Sequence, residues 1–172
     1  MEKYVPDIYQ KSIYTIDYDK LVNSGIKCLL IDLDNTLVPS NTIIVNDKLR
    51  KFINKLQKKF KIIIFSNAFN KRVKKIADEL GVDYQAFACK PWAYGFNKIK
   101  RKYRYKEGEI AIIGDQLQTD VYGGNKAGIV TILVNPLSTG DAFFTKINRY
   151  IEKRKMNKLY RKGMFTKGRY YE

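Results

Sequence analysis

Short runs of unbroken apolar residues alternate along this chain with longer stretches whose apolar residues recur at helical spacing. Residues 28–31 (CLLI), 61–65 (KIIIF), 109–113 (EIAII) and 129–134 (IVTILV) have the character of strands buried on both faces. A shorter strand is expected at about 82–87. Between the runs, Asn46 caps a predicted helix whose stripe is Leu49, Phe52, Ile53, Leu56 and Phe60. Asn70 is the expected cap of the next, with Val73, Ile76, Ala77 and Leu80 inward and Gly81 as its stop. Trp92, Phe96, Ile99 and Tyr103 give a third stripe, and Thr119 and Gly128 bracket a short helix over 120–127. Residues 1–27, with four tyrosines among turn-forming polar residues, are expected to strap across the core. Alternation of this kind predicts an α/β fold, a parallel sheet flanked by helices on both faces. Function then lies beyond the carboxyl ends of the strands.

Polar residues stand at just those ends. Asp32 and Asp34 interrupt the first apolar run in DLDNT, and nothing apolar explains two acids there. Like charges so close repel unless a cation lies between them or one is protonated. Such a pair can supply a nucleophile and a general acid/base beside a divalent metal, which points to phosphoryl transfer. Ser66 and Asn67 follow the next long strand, Lys90 follows the short one, and Asp115 and Asp120 follow residues 109–113. Taken singly, Ser66-Asn67 reads as a turn, Lys90 as a solvated lysine and GDQLQTD as a loop feeding a cap. Their common placement at four strand ends is what favours chemistry.

Composition narrows the classes. The chain has 172 residues, one domain's length, and no histidine, which removes His-based triads and His-ligated zinc. Two cysteines, Cys28 and Cys89, make no disulfide framework and fit a reducing cytoplasm. No apolar run reaches the roughly 18 residues of a spanning helix, so a cytoplasmic protein is expected, with peripheral contact at the inner face of the membrane in view. The net charge of +16 calls for an anionic partner, and the density is highest in residues 141–172, which carry +7 in 32 residues.

These four motifs, in order across residues 28–120, resemble those of the haloacid dehalogenase-like phosphatase superfamily, and the implied fold is its Rossmann-like α/β fold. The resemblance implies Asp32 as nucleophile and Asp34 as acid/base. It implies Ser66, with the Asn67 amide, and Lys90 as holders of the phosphoryl group. Thr36 and Asp120 become supporting residues, Asp120 as partner of metal water or of the lysine. Mg²⁺ is the implied cofactor, on Asp32, Asp115 and the Asp34 backbone carbonyl, an all-oxygen set. Only about 30 residues separate Thr36 from Ser66 and about 22 separate Asn67 from Lys90, too few for a cap domain. An open site suits a phosphate carried on something large.

Within the superfamily, GIKCLLIDLDNTLVP, SNA and the KPxxxGF of Lys90–Phe96 resemble the capless YqeG-type proteins, relatives of phosphatidylglycerophosphate phosphatases. That implies hydrolysis of phosphatidylglycerophosphate, a phospholipid headgroup as substrate. Two alternatives stay open: a phosphatase on soluble or macromolecular phosphoesters, and a nucleic-acid- or ribosome-associated protein whose tyrosines and lysines contact RNA. The expected division is a phosphatase domain over 1–140 and a basic helix and tail over 141–172. In the tail, Phe143, Phe144, Ile147, Tyr150 and Ile151 recur at helical spacing among Lys146, Arg149, Lys153, Arg154 and Lys155. Such a helix can lie on an anionic bilayer or pack its aromatic stripe on the sheet.

Overall fold

The structure, a computed structural model, describes residues 1–40, 42–138 and 153–172. Six parallel strands form one sheet: β1 (Ile8–Gln10), β2 (Cys28–Ile31), β3 (Lys61–Phe65), β4 (Asp83–Gln85), β5 (Ile110–Gly114) and β6 (Val130–Val134), in the order β1-β6-β5-β2-β3-β4. Central β2 holds Ile31 level with Ile64 of β3 and Ile113 of β5, so the three strands end side by side.

Helices α1 (Tyr18–Asn23), α2 (Asp47–Leu56), α3 (Asn70–Leu80), α4 (Ala93–Tyr103) and α5 (Tyr122–Ala127) flank the sheet. Because successive strand residues point to opposite faces, Leu29 and Ile31 pack with Leu49, Ile53, Val73 and Ile76 of α2 and α3. Cys28 and Leu30 pack with Phe96, Ile99 and Ala127 of α4 and α5 on the other face. Asn46 caps α2 as expected, its side chain accepting from Leu49 N at 2.8 Å, and Gly81 and Gly128 end α3 and α5 in the left-handed conformation. Among the described residues, α2 alone occupies the link from β2 to β3 and α3 alone that from β3 to β4, so neither carries a cap.

Several local expectations are corrected. The N-terminal segment does more than strap the core: β1 adds to the sheet beside β6, with Asp7 exchanging hydrogen bonds with Thr131 at its start. Asn70 is the first residue of α3, not its cap; Phe69 holds the cap position with no side-chain bond. Phe60 lies buried in the turn after α2, and Trp92 precedes α4 with its ring exposed instead of joining the inward stripe. Before α5 the chain makes a π turn over Leu117–Val121, which places Thr119 inside the turn, donating to Gln116 Oε1 at 3.3 Å.

Phe143, Phe144, Lys146, Ile147, Arg149, Tyr150 and Ile151 lie outside the described residues. The described part of the basic segment is anchored on the interior: residues 153–161 are helical, Leu159 and Phe165 are buried against Tyr9, Leu117, Val121 and Leu133, and Tyr171 pairs antiparallel with Tyr9. No helix of the described residues is long and apolar enough to cross a membrane.

Candidate active site

One residue past β2, Asp32 keeps the sheet register through its N–H, which donates to Ile113 O at 2.9 Å. Asp115 follows β5, and the π turn carries Asp120 back over the strand ends. All three carboxylates are buried, and oxygens from the three lie within 4.8 Å of one another. Lys90 enters this cluster, its Nζ donating to Asp32 Oδ1 at 2.5 Å and to Asp120 Oδ1 at 2.6 Å. Asp120 Oδ2 accepts from Gln116 N at 3.1 Å. The approach depends on Gly114, where a Cβ would lie 2.2 Å from Asp120 Cγ. Of the two roles left open for Asp120, the contact made is with the lysine.

The backbone of Lys90 is held as firmly as its ammonium. Asn67 accepts from Lys90 N at 2.8 Å and donates through Nδ2 to Lys90 O at 2.9 Å, a reciprocal pair joining the β3 and β4 loops. Buried Ser66 accepts from Ala68 N through Oγ at 3.1 Å and from Ala88 N through its carbonyl at 3.0 Å. Its hydroxyl proton is not used in those bonds.

Burial pushes the Asp32 carboxyl up to about 7, with Lys90 opposing and Asp120 adding to the rise. Burial works to lower the Lys90 ammonium, but Asp120 and Asp32 outweigh it and hold its pKa above the ordinary lysine range. Lysine therefore stays charged beside the carboxylates. Three carboxylates whose oxygens lie within 4.8 Å of one another form an all-oxygen donor set of the kind a divalent cation such as Mg²⁺ takes. The residues present fit that ion.

Asp34 does not join the cluster. Its Oδ2 accepts from Arg72 Nη1 at 2.9 Å, while its Oδ1, buried and 2.8 Å from Nη2, accepts no hydrogen bond among the described residues. Thr36 is also buried with its hydroxyl unbonded among the described residues. Between them Asn35 takes a positive φ of 61° and ties this loop to the one after β6, accepting from Leu137 N at 2.9 Å and from Ser138 Oγ at 2.8 Å.

A family model described as haloacid dehalogenase-like hydrolase matches residues 40–128. The chain belongs to that family. It is an enzyme of the phosphatase kind, 37% identical over 93% of its length, and 94% of the relative's, to "Probable phosphatase YqeG" of Bacillus subtilis. It is 26% identical to "Phosphatidylglycerophosphate phosphatase 1, chloroplastic/mitochondrial" of Arabidopsis thaliana, covering 93% of this chain but 49% of that one, about half its length. A solved structure from Legionella pneumophila, titled as a HAD superfamily (subfamily III A) hydrolase, shares the fold with a TM-score of 0.50 at 18% identity, covering 71% of this chain and 75% of that one.

Arg72 is the residue of this hydrolase that sequence reasoning missed. A signal existed: Arg72 lies in the first turn of α3, where a cation opposes the helix dipole unless an anion is near. The cavity beside Asp115 was equally invisible. It holds about 570 Å³ between the end of β6 and the C-terminal helix, with Tyr9, Asn135, Pro136 and Met156 in its walls and Lys153 and Lys167 among its lining residues.

Proposed function

We propose that this phosphatase hydrolyses phosphatidylglycerophosphate to phosphatidylglycerol and inorganic phosphate. The observation that carries the chemistry is buried Asp32, bonded to Lys90 and one of three clustered carboxylates at the ends of parallel strands. The substrate class is supported by the likeness to the Arabidopsis phosphatase, by the absence of a cap among the described residues, and by the net charge of +16.

In this reading Asp32 attacks phosphorus, the bond from phosphorus to the glycerol oxygen breaks, and Asp34 gives its proton to the departing alkoxide. Arg72 grips both oxygens of Asp34, Nη1 donating to Oδ2 at 2.9 Å and Nη2 lying 2.8 Å from Oδ1, and so fixes the carboxyl group that makes that transfer. Asp34 then takes a proton from water, whose oxygen attacks the aspartyl phosphate and frees Asp32 and phosphate. Ser66 and the Asn67 amide hold the phosphoryl oxygens, and Lys90 offsets their charge. Asp32, Asp115 and the Asp34 backbone carbonyl would hold Mg²⁺, which supplies charge neutralisation at the transferring group. The cavity beside Asp115 gives the leaving alcohol a place next to Lys153 and Lys167.

The test is a comparison of kcat/KM for phosphatidylglycerophosphate in detergent micelles with a panel of soluble phosphomonoesters. The lipid should be preferred by at least about tenfold, the effect of a little more than 1 kcal/mol of extra transition-state binding. A soluble ester used as well or better contradicts the lipid reading and moves the soluble-substrate reading ahead.

A further inference from the structure

Six of the exposed large apolar side chains among the described residues stand on the loops and helix starts that follow β2, β3 and β4: Ile43 and Ile44 between β2 and α2, Phe69 before α3, Phe87 after β4, and Trp92 and Tyr94 at the start of α4. They are linked through the loops that carry the site. Phe69 and Phe87 meet edge to face at 5.7 Å, and Phe87 N donates to Ala68 O. Arg72, which grips Asp34, also donates from Nη2 to Thr42 O at 2.9 Å and so ties the Ile43-Ile44 loop to the start of α3. Trp92 N donates to Cys89 O, one residue from Lys90, and Lys126 stands 5.8 Å from the indole.

These side chains are displayed at a cost. Ile44, Phe69 and Trp92 are 75, 78 and 68% exposed, and Phe87 takes a φ of 47°, a left-handed conformation that bulky residues avoid. The chain beside them is free of acids. Residues 66–77 contain no Asp or Glu against four Lys or Arg, residues 84–98 contain none against Lys90 and Lys98, and residues 38–46 carry no charge at all.

We infer that this rim is the surface by which the phosphatase sits on an anionic bilayer. The aromatic and isoleucine side chains enter the headgroup region, the acid-free basic segments meet lipid phosphates, and the opening at Asp32 faces the lipid. Aliphatic Ile43 and Ile44 favour a bilayer over RNA, since isoleucine cannot stack on a base. The inference rests on the lipid reading above, and places the contact on the site's own rim instead of on the basic tail.

Trp92 is the single tryptophan of the chain, so its fluorescence reports on the rim without any substitution. With phosphatidylglycerol-containing vesicles the native emission should shift to shorter wavelength, and with phosphatidylcholine vesicles it should not. In sedimentation, a variant carrying Ile44→Ser, Phe69→Ser and Trp92→Ser should lose about tenfold or more in affinity for the anionic vesicles. Its melting temperature and p-nitrophenyl phosphate turnover should stay native. Sedimentation of native protein without an emission shift, native affinity in the variant, or failure of native protein to bind at low salt would each overturn the inference. RNA binding that the variant loses, with no vesicle binding, overturns it in favour of a nucleic-acid surface. Vesicle binding with the emission shift, but no phosphate release from phosphatidylglycerophosphate in micelles, supports the rim and removes the substrate assignment alone.

Discussion

Lys90 serves two carboxylates at once, so residues that never touch a substrate govern where its ammonium sits. Gly114→Ala drives a methyl group into the Asp120 carboxylate. It should lower kcat on the order of 10²-fold, the usual result of a displacement of about 1 Å, while circular dichroism stays native. Unchanged turnover would show that Asp120 does not position Lys90. Arg72→Ala removes the partner of Asp34 and should cost about 10- to 100-fold in kcat, the scale of a hydrogen bond to a charged group, with partial recovery in Arg72→Lys. Equal rates in all three proteins would make Arg72 a loop fastener only. Asp32, Ser66 and Asp115 were legible because each follows an apolar run at a strand end, and Lys90 and Asp120 through their order after those runs. Arg72 was not, because its partner Asp34 lies 38 residues away, and Gly114 was not, because its role depends on the π turn that carries Asp120 back over it.

The elements followed their local chemistry where that chemistry was strong. The Asn46 cap and the glycine stops at Gly81 and Gly128 are satisfied within a few residues and stood out in the sequence. Three-residue β1 has no periodicity to detect and exists through its pairing with β6; the π turn at Leu117–Val121 is fixed by the packing of Leu117 and Val121 beneath the C-terminal segment. One helix end departs from preference, since α4 closes on exposed Arg104 with a φ of 58°. Arg104→Gly should therefore stabilise the protein by roughly 0.5–1 kcal/mol, seen as a higher midpoint in urea with an unchanged m-value. A lower midpoint would mean that the arginine makes a compensating contact.

At the scale of the whole molecule, the sheet presents its acidic cluster at the strand ends, with exposed apolar side chains on the surrounding loops. The sequence left two uses open for the basic C-terminal segment, and its described part serves the interior, with Leu159 fully buried beside Tyr9 and Leu133. Leu159→Ala should cost about 2–5 kcal/mol of unfolding free energy, and a cost below about 0.5 kcal/mol, the range of surface substitutions, would return the segment to the exterior. The central claim is that Asp32 is the nucleophile of a Mg²⁺-dependent lipid phosphatase. Phosphate release from phosphatidylglycerophosphate in micelles, measured with and without Mg²⁺ for the native protein and for Asp32→Asn, tests it most directly. The account predicts release by the native protein with Mg²⁺, almost none after chelation, and none above background from a folded Asp32→Asn at any Mg²⁺ concentration. Native-like release from Asp32→Asn, or release that ignores Mg²⁺, would contradict it.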